Sequence, residues 1–178
     1  TGWGLHTVPN ISAQPEFFNL LSQKKFTATC WIRTKEQLDY LEEPDMFHDV
    51  FGHIPLLTDD HYCEFLHGLS SIALQQIDNP YFIELMSRIY WFTIEFGLIT
   101  ENSQTKIYGA GIISSSGETT YSVRTQPVHH PYNVEQVVNS PFHKDRMQDQ
   151  YFIINSFEQL YNSLPEIEIQ LKKLAAQP

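Results

Sequence analysis

A chain of 178 residues with 42% hydrophobic and 13% aromatic content can bury one substantial core and is too apolar to be disordered. Its 21 acidic residues outweigh 11 lysines and arginines, and the formal charge of -10 excludes a nucleic-acid groove built on clustered cations. Two cysteines, Cys30 and Cys63, make no disulfide framework, and no apolar run reaches the length of a membrane span. The expectation is one cytoplasmic domain over residues 1–178 with no nucleic-acid or membrane partner.

Residues 1–15 carry Gly2, Gly4, Pro9 and Pro15 and read as loop. PEFFNLLSQKKF places Pro15 in a first turn with Phe17, Phe18, Leu20 and Leu21 behind it, which predicts a short helix. ATCWIRT reads as a short extended segment. EPDMFHDVFGH reads as a helix that begins near Pro44 and stops at Gly52, with Pro55 preventing a restart. DDHYCEFLHGLSSIALQQI predicts a second helix starting at Asp59 or Asp60. DNPYFIELMSRIYWFTIEFGLI predicts a third, with Asn79 as its cap, Pro80 in first position and Gly97 near its end. From Ile89 to Ile99 it is apolar on nearly every side, as a buried central helix is. KIYGAGIISSSGETTYSV reads as strand, tight loop and strand. VEQVVN predicts a short helix, QYFIINSF a strand, and SFEQLYNSLPEIEIQLKKL a terminal helix kinked or interrupted at Pro165. The fold class is therefore α+β and mainly α, a helical basket with a few short strands.

Two of these segments carry chemistry. His48 and His53 are five residues apart, whereas the familiar zinc spacing on a helix is four. Five residues on an ideal helix rotate the second side chain by roughly 140° from the first. A helix that ends at Gly52 removes the difficulty, because His53 then follows a turn. Glu95 lies among Ile94, Phe96 and Leu98, where an unpaired carboxylate is costly. It calls for a partner: an arginine or lysine elsewhere, or a metal ion shared with His48 and His53. Two histidines and one carboxylate are the facial triad of non-haem Fe(II) oxygenases. His6, His61, His67, His129, His130 and His143 read as surface or satisfied core histidines.

EPDMFHDVFGHIPLL, then RIYWFTIEFGL, then IYGAGIISSSGE resemble the pterin-dependent aromatic amino acid hydroxylases, above all their bacterial phenylalanine 4-monooxygenase branch. The likeness runs in order from TGW to YFIINSFEQL. It implies that His48, His53 and Glu95 bind iron in a helical basket, that Phe17 stacks on the tetrahydropterin and that Asp49 lies near it. It also implies that Arg33 pairs with the substrate carboxylate, that Pro44 and Trp91 line the aromatic pocket, and that Gly111 and Ser114 form the loop beside substrate and His48. The reaction implied is para-hydroxylation of L-phenylalanine to L-tyrosine with O2, Fe(II) and tetrahydrobiopterin or a bacterial analogue, in a chain favoured to be monomeric.

Some positions depart from the family. Its catalytic domain has a segment ahead of TGW, so the expectation is a catalytic domain lacking that amino-terminal part. Leu41 stands where animal members have a hydroxylated residue near substrate, and Thr27 where they have a histidine near the pterin. The alternatives are a tryptophan hydroxylase of the same family, an HD-type phosphohydrolase suggested by His48-Asp49, and a non-catalytic domain whose triad is polar pairing. Bound iron, a dinuclear centre and no metal, respectively, mark the hydroxylases, the phosphohydrolase and the inert domain.

Overall fold

In the computed structural model, which describes residues 1–37 and 43–176, the chain opens with a strand, β1 (Gly4–Val8), where its glycines and prolines suggest loop. The next element, α1 (Gln14–Ser22), holds Pro15 in its first turn and buries Phe18, Leu20 and Leu21. It leads into β2 (Lys25–Thr29), which pairs in parallel with β1, Gly4 opposite Lys25 and Val8 opposite Thr29. β1 is exposed up to Val8, so ladder hydrogen bonds hold it and no buried face announces it. The extended segment also falls earlier than ATCWIRT, because Phe26 and Ala28 are the side chains that reach the core.

The helix expected to stop at Gly52 does not stop there. His48–His53 forms a π-helix, closed by the Ile54 N–H on the Asp49 carbonyl, and Ile54–Thr58 follows as a 3-10 turn. Pro55 sits at the start of that turn, where no intrahelical N–H is needed. Gly52 has another reason to be glycine: a β-carbon there would lie 2.7 Å from Ala110 Cβ and 2.9 Å from Ala110 Cα. Close packing, not a helix end, accounts for it.

Two long helices then build the core. In α2 (Asp60–Leu74), Asp59 Oδ1 accepts the Tyr62 N–H. In α3 (Pro80–Tyr90), Asn79 Oδ1 accepts from Tyr81 and Phe82 N–H groups. Such caps satisfy donors that a helix start leaves without partners. Phe65, Leu66 and Leu69 of α2 meet Phe82, Leu85, Met86 and Ile89 of α3 in one buried cluster. The third predicted helix ends at Tyr90, earlier than its apolar run. Trp91–Glu95 widens into a second π-turn, closed by the Phe96 N–H on the Trp91 carbonyl at 2.8 Å. Inside it the buried Thr93 hydroxyl donates to the Ile89 carbonyl at 2.6 Å, a back-bond that bends helices.

β3 (Leu98–Glu101) and β4 (Gln104–Ile107) form a hairpin through Asn102 and Ser103, both at positive φ. The loop and strand expected next are two short helices, α4 (Ala110–Ile113) and α5 (Ser116–Tyr121). The remaining elements are β5 (Val128–Pro131), α6 (Val134–Asn139), β6 (Gln150–Ile154), α7 (Phe157–Asn162) and α8 (Leu164–Ala175). α7 and α8 divide the terminal helix beside Pro165, as the proline suggests. β6 lies between β3 and β5 and parallel to both, giving the order β4-β3-β6-β5. α6 and α8 pack on α3, and α7 packs on α2. α1, β2, both π-turns, α4, α5 and residues 142–148 enclose a cavity. The architecture is α+β and mainly helical.

Candidate metal centre and its cavity

The cavity measures about 870 Å3 and mixes aromatic walls with a few convergent polar groups. On its wall His48 Nε2 and His53 Nε2 stand 3.0 Å apart, with Glu95 oxygens 3.5 Å and 3.3 Å from them. The i to i+5 hydrogen bonding of a π-helix brings residues five apart onto one face, which is why these imidazoles converge without a break in the helix. Glu95 closes the second π-turn, so both ligand-bearing segments have the same unusual winding. Donors about 2.1 Å from one ion and at right angles to each other lie about 3.0 Å apart. The three observed separations suit one such facial set. Among the described residues these three form the cluster able to hold a metal ion.

Protonation also fits. Burial lowers the His48 pKa and keeps the imidazole neutral, as a ligand must be. Burial pushes Glu95 the other way, but His53 and His48 beside it, with the Gly111 N–H, outweigh this and hold it below the ordinary carboxylate value. The Glu95 side chain is 14% exposed, open on the cavity side. His48 Nδ1 lies 2.8 Å from Ser114 Oγ. A proton on Nδ1 donated to Ser114 leaves the Nε2 lone pair facing His53 and Glu95.

Arg33 is not a solvated surface arginine: its side chain is 4% exposed. Asp45 grips it in a fork, with Nε donating to Oδ2 at 3.0 Å and Nη2 to Oδ1 at 2.7 Å. The Arg33 backbone N–H also donates to Asp45 Oδ2, and Nη1 donates to the Ser114 carbonyl. Among the described residues these bonds engage three of the five guanidinium N–H groups and leave two for a ligand. Asp45 is fully buried and also accepts the His48 N–H at 3.0 Å. Burial works against its charge, yet Arg33 and these N–H groups hold its pKa down to about 2. Sequence reading missed Asp45. The acid in EPD just ahead of a helix was a visible signal for a cap, but the pairing with Arg33 was not.

Phe17, Arg33, Pro44, His48, Asp49, His53, Trp91, Glu95, Gly111 and Ser114 all line this one cavity. Asp49 does so with Oδ2 accepting both the Thr29 N–H at 2.7 Å and its hydroxyl at 2.8 Å, which ties the π-turn to the end of β2. Phe17 meets Phe18 and Tyr90 by edge contacts. Trp91 stacks between Phe96 at 4.6 Å and Phe142 at 4.5 Å. Thr27 is buried on the same wall, whereas Leu41 falls outside the described residues. Glu118 and Phe142 line the cavity too; Glu118 ends the motif IYGAGIISSSGE, but neither residue's own local sequence marks it for a site.

The family model described as biopterin-dependent aromatic amino acid hydroxylase matches residues 1–176. A phenylalanine-4-hydroxylase of Vibrio cholerae is 42% identical over 162 residues, covering 90% of this chain and 55% of the relative. A solved phenylalanine hydroxylase from Legionella pneumophila aligns with a TM-score of 0.87 and 38% identity, over 100% of this chain and 78% of that one. The Chromobacterium violaceum enzyme, solved with bound iron(III) and the oxidised cofactor 7,8-dihydrobiopterin, aligns with a TM-score of 0.89 and 36% identity, over 100% and 65%. The chain spans about half the length of the Vibrio relative.

Proposed function

The chain belongs to the biopterin-dependent aromatic amino acid hydroxylase family, and on that footing we propose that it converts L-phenylalanine to L-tyrosine with O2 and a tetrahydropterin at a mononuclear Fe(II) site. The observation that carries this reading is the convergence of His48, His53 and Glu95, 3.0 to 3.5 Å apart, on the wall of an aromatic cavity. The Vibrio and Legionella relatives are phenylalanine hydroxylases, and the Chromobacterium one holds iron and a dihydropterin.

Bound here, Fe(II) and a reduced pterin would supply the activation of O2 and the two electrons that reduce its second oxygen atom. The chain's own part is positioning. Ser114 fixes the His48 ring and tautomer, and the Gly111 N–H steadies the Glu95 carboxylate. Arg33, held rigid by Asp45, presents its two remaining N–H groups to the substrate carboxylate. Pro44 and Trp91 wall the ring pocket and exclude water, while Phe17 offers an aromatic surface to the pterin, with Asp49 near it. The HD reading loses support, since Asp49 Oδ2 is engaged by Thr29.

Among the described residues no helix is long and apolar enough to cross a membrane. A cytoplasmic location remains part of the proposal, supported by its two free cysteines, and so does a monomeric state. Anaerobic reconstitution with Fe(II), metal counting and amino acid turnover with a synthetic tetrahydropterin test the whole reading. One iron per chain and pterin-dependent tyrosine formation are expected. A dinuclear centre, no metal, or turnover of tryptophan in place of phenylalanine would each overturn it.

A further inference from the structure

An α-amino acid brings two charges into its site, and Arg33 answers only the carboxylate. A cavity that encloses the zwitterion needs an anion for the ammonium group, since an uncompensated buried charge is strongly unfavourable. Of the acids on the wall, Glu95 belongs to the metal site, Asp49 is tied to Thr29, and Glu43 and Asp145 are exposed at the rim. Glu118 differs from all of these. It is 6% exposed, its Oε2 accepts the Tyr151 hydroxyl, and its Oε1 takes a long 3.3 Å bond from the Gln148 N–H. Neither partner is a cation, and each oxygen keeps acceptor capacity.

Its place in the fold suits the task. Ser114, just past the end of α4, accepts from Arg33 through its carbonyl, Ser115 caps α5 by accepting the Glu118 N–H on Oγ at 3.3 Å, and Arg33, Ser114 and Glu118 all line the one cavity. The cation for one end of the substrate and the acid for the other therefore stand on a single wall. We propose that Glu118 pairs with the substrate's ammonium group and so selects α-amino acids over acids that lack the amine. The inference rests on the amino acid reading of the site. Burial holds the empty carboxyl above its ordinary pKa, which makes its enclosure tolerable until an ammonium arrives to favour the anion.

The test is calorimetric, on the anaerobic Fe(II)-loaded chain, with L-phenylalanine and 3-phenylpropanoate as paired ligands. Wild type should prefer phenylalanine. Glu118→Gln should weaken phenylalanine binding about 10 to 100-fold, the range of a lost charged hydrogen bond, and change 3-phenylpropanoate by less than about twofold. Glu118→Asp keeps the charge and should retain part of the preference; it decides the matter if the glutamine variant does not fold. Equal losses for both ligands would reduce Glu118 to a brace for residues 142–148, and an unchanged phenylalanine affinity, or no preference in wild type, would also overturn the inference. Wild type that binds neither ligand would instead overturn the amino acid reading itself.

Discussion

His48 is held at its ring by Ser114 at Nδ1 and at its backbone N–H by the Asp45 carboxylate. Replacing His48, His53 or Glu95 with alanine should abolish stoichiometric iron binding and turnover while circular dichroism stays native, because the core rests on α2 and α3. Wild-type iron content in any of the three would remove that residue from the ligand set. Ser114→Ala should be milder, about 10 to 100-fold in iron affinity or rate, the usual range for groups that orient a ligand. Iron titration settles it, and an unchanged affinity and rate would show that Ser114 does not orient His48. At this scale His48 and His53 were visible as a spaced pair and Glu95 as an acid in an apolar run. Asp45 and Glu118 were not, since each matters through a partner distant in sequence: Arg33, twelve positions earlier, and Tyr151, 33 positions later.

The two π-turns are the elements on which the centre depends, and their geometry relies on close packing against α4. Gly52 faces Ala110 with no room for a methyl group. Gly52→Ala should therefore push α4, with Ser114 just beyond its end, away from His48. A loss of about 1 to 3 kcal/mol is expected from such overpacking, together with weaker iron binding. Thermal melts and iron titrations of this variant that match wild type would show that α4 yields freely. Element prediction succeeded for α2 and α3, where a capping residue, a first-turn proline or acid, and helical periodicity agree. It failed for β1, which has almost no buried face, and for α4 and α5, whose glycines and serines carry little helix preference. It also misread Gly52 as a helix stop, because close approach and chain reversal both select glycine.

For the whole molecule, a metal that binds only the folded state adds stability by mass action. Fe(II) at 100 times its dissociation constant contributes about 2.7 kcal/mol, which raises Tm by roughly 5 to 10 °C in a chain of this size. Scanning calorimetry with Fe(II) and with a chelator should show this difference, and the His48→Ala protein should not. Acid stability follows from Asp45. Its folded pKa of about 2 lies below the ordinary 3.8, so the folded state favours the anion. The contribution, about 2 kcal/mol, is fully present above pH 3.8 and is lost as pH falls towards 2. Asp45→Asn should flatten this acid limb and lower stability at neutral pH by leaving Arg33 buried without its counter-ion. Denaturant titrations at pH 2 to 7 measure it, and an unchanged limb would assign acid sensitivity to other groups.

The sequence by itself determined the α+β class, the main helices and the residue types of the metal centre. Those properties rest on composition, on periodicity and on capping, which act between neighbours along the chain. Tertiary structure alone decided how a five-residue spacing becomes a converging pair, because the π-helical winding of His48–His53 depends on packing against α4 and on the tie from Asp49 to Thr29. It also decided that Arg33 is a buried, clamped cation and that Glu118 stands on the same wall. Such pairings join positions far apart in sequence, and no local preference encodes them. Only the shared core, by bringing α4, α5 and both π-turns around one cavity, makes these residues neighbours.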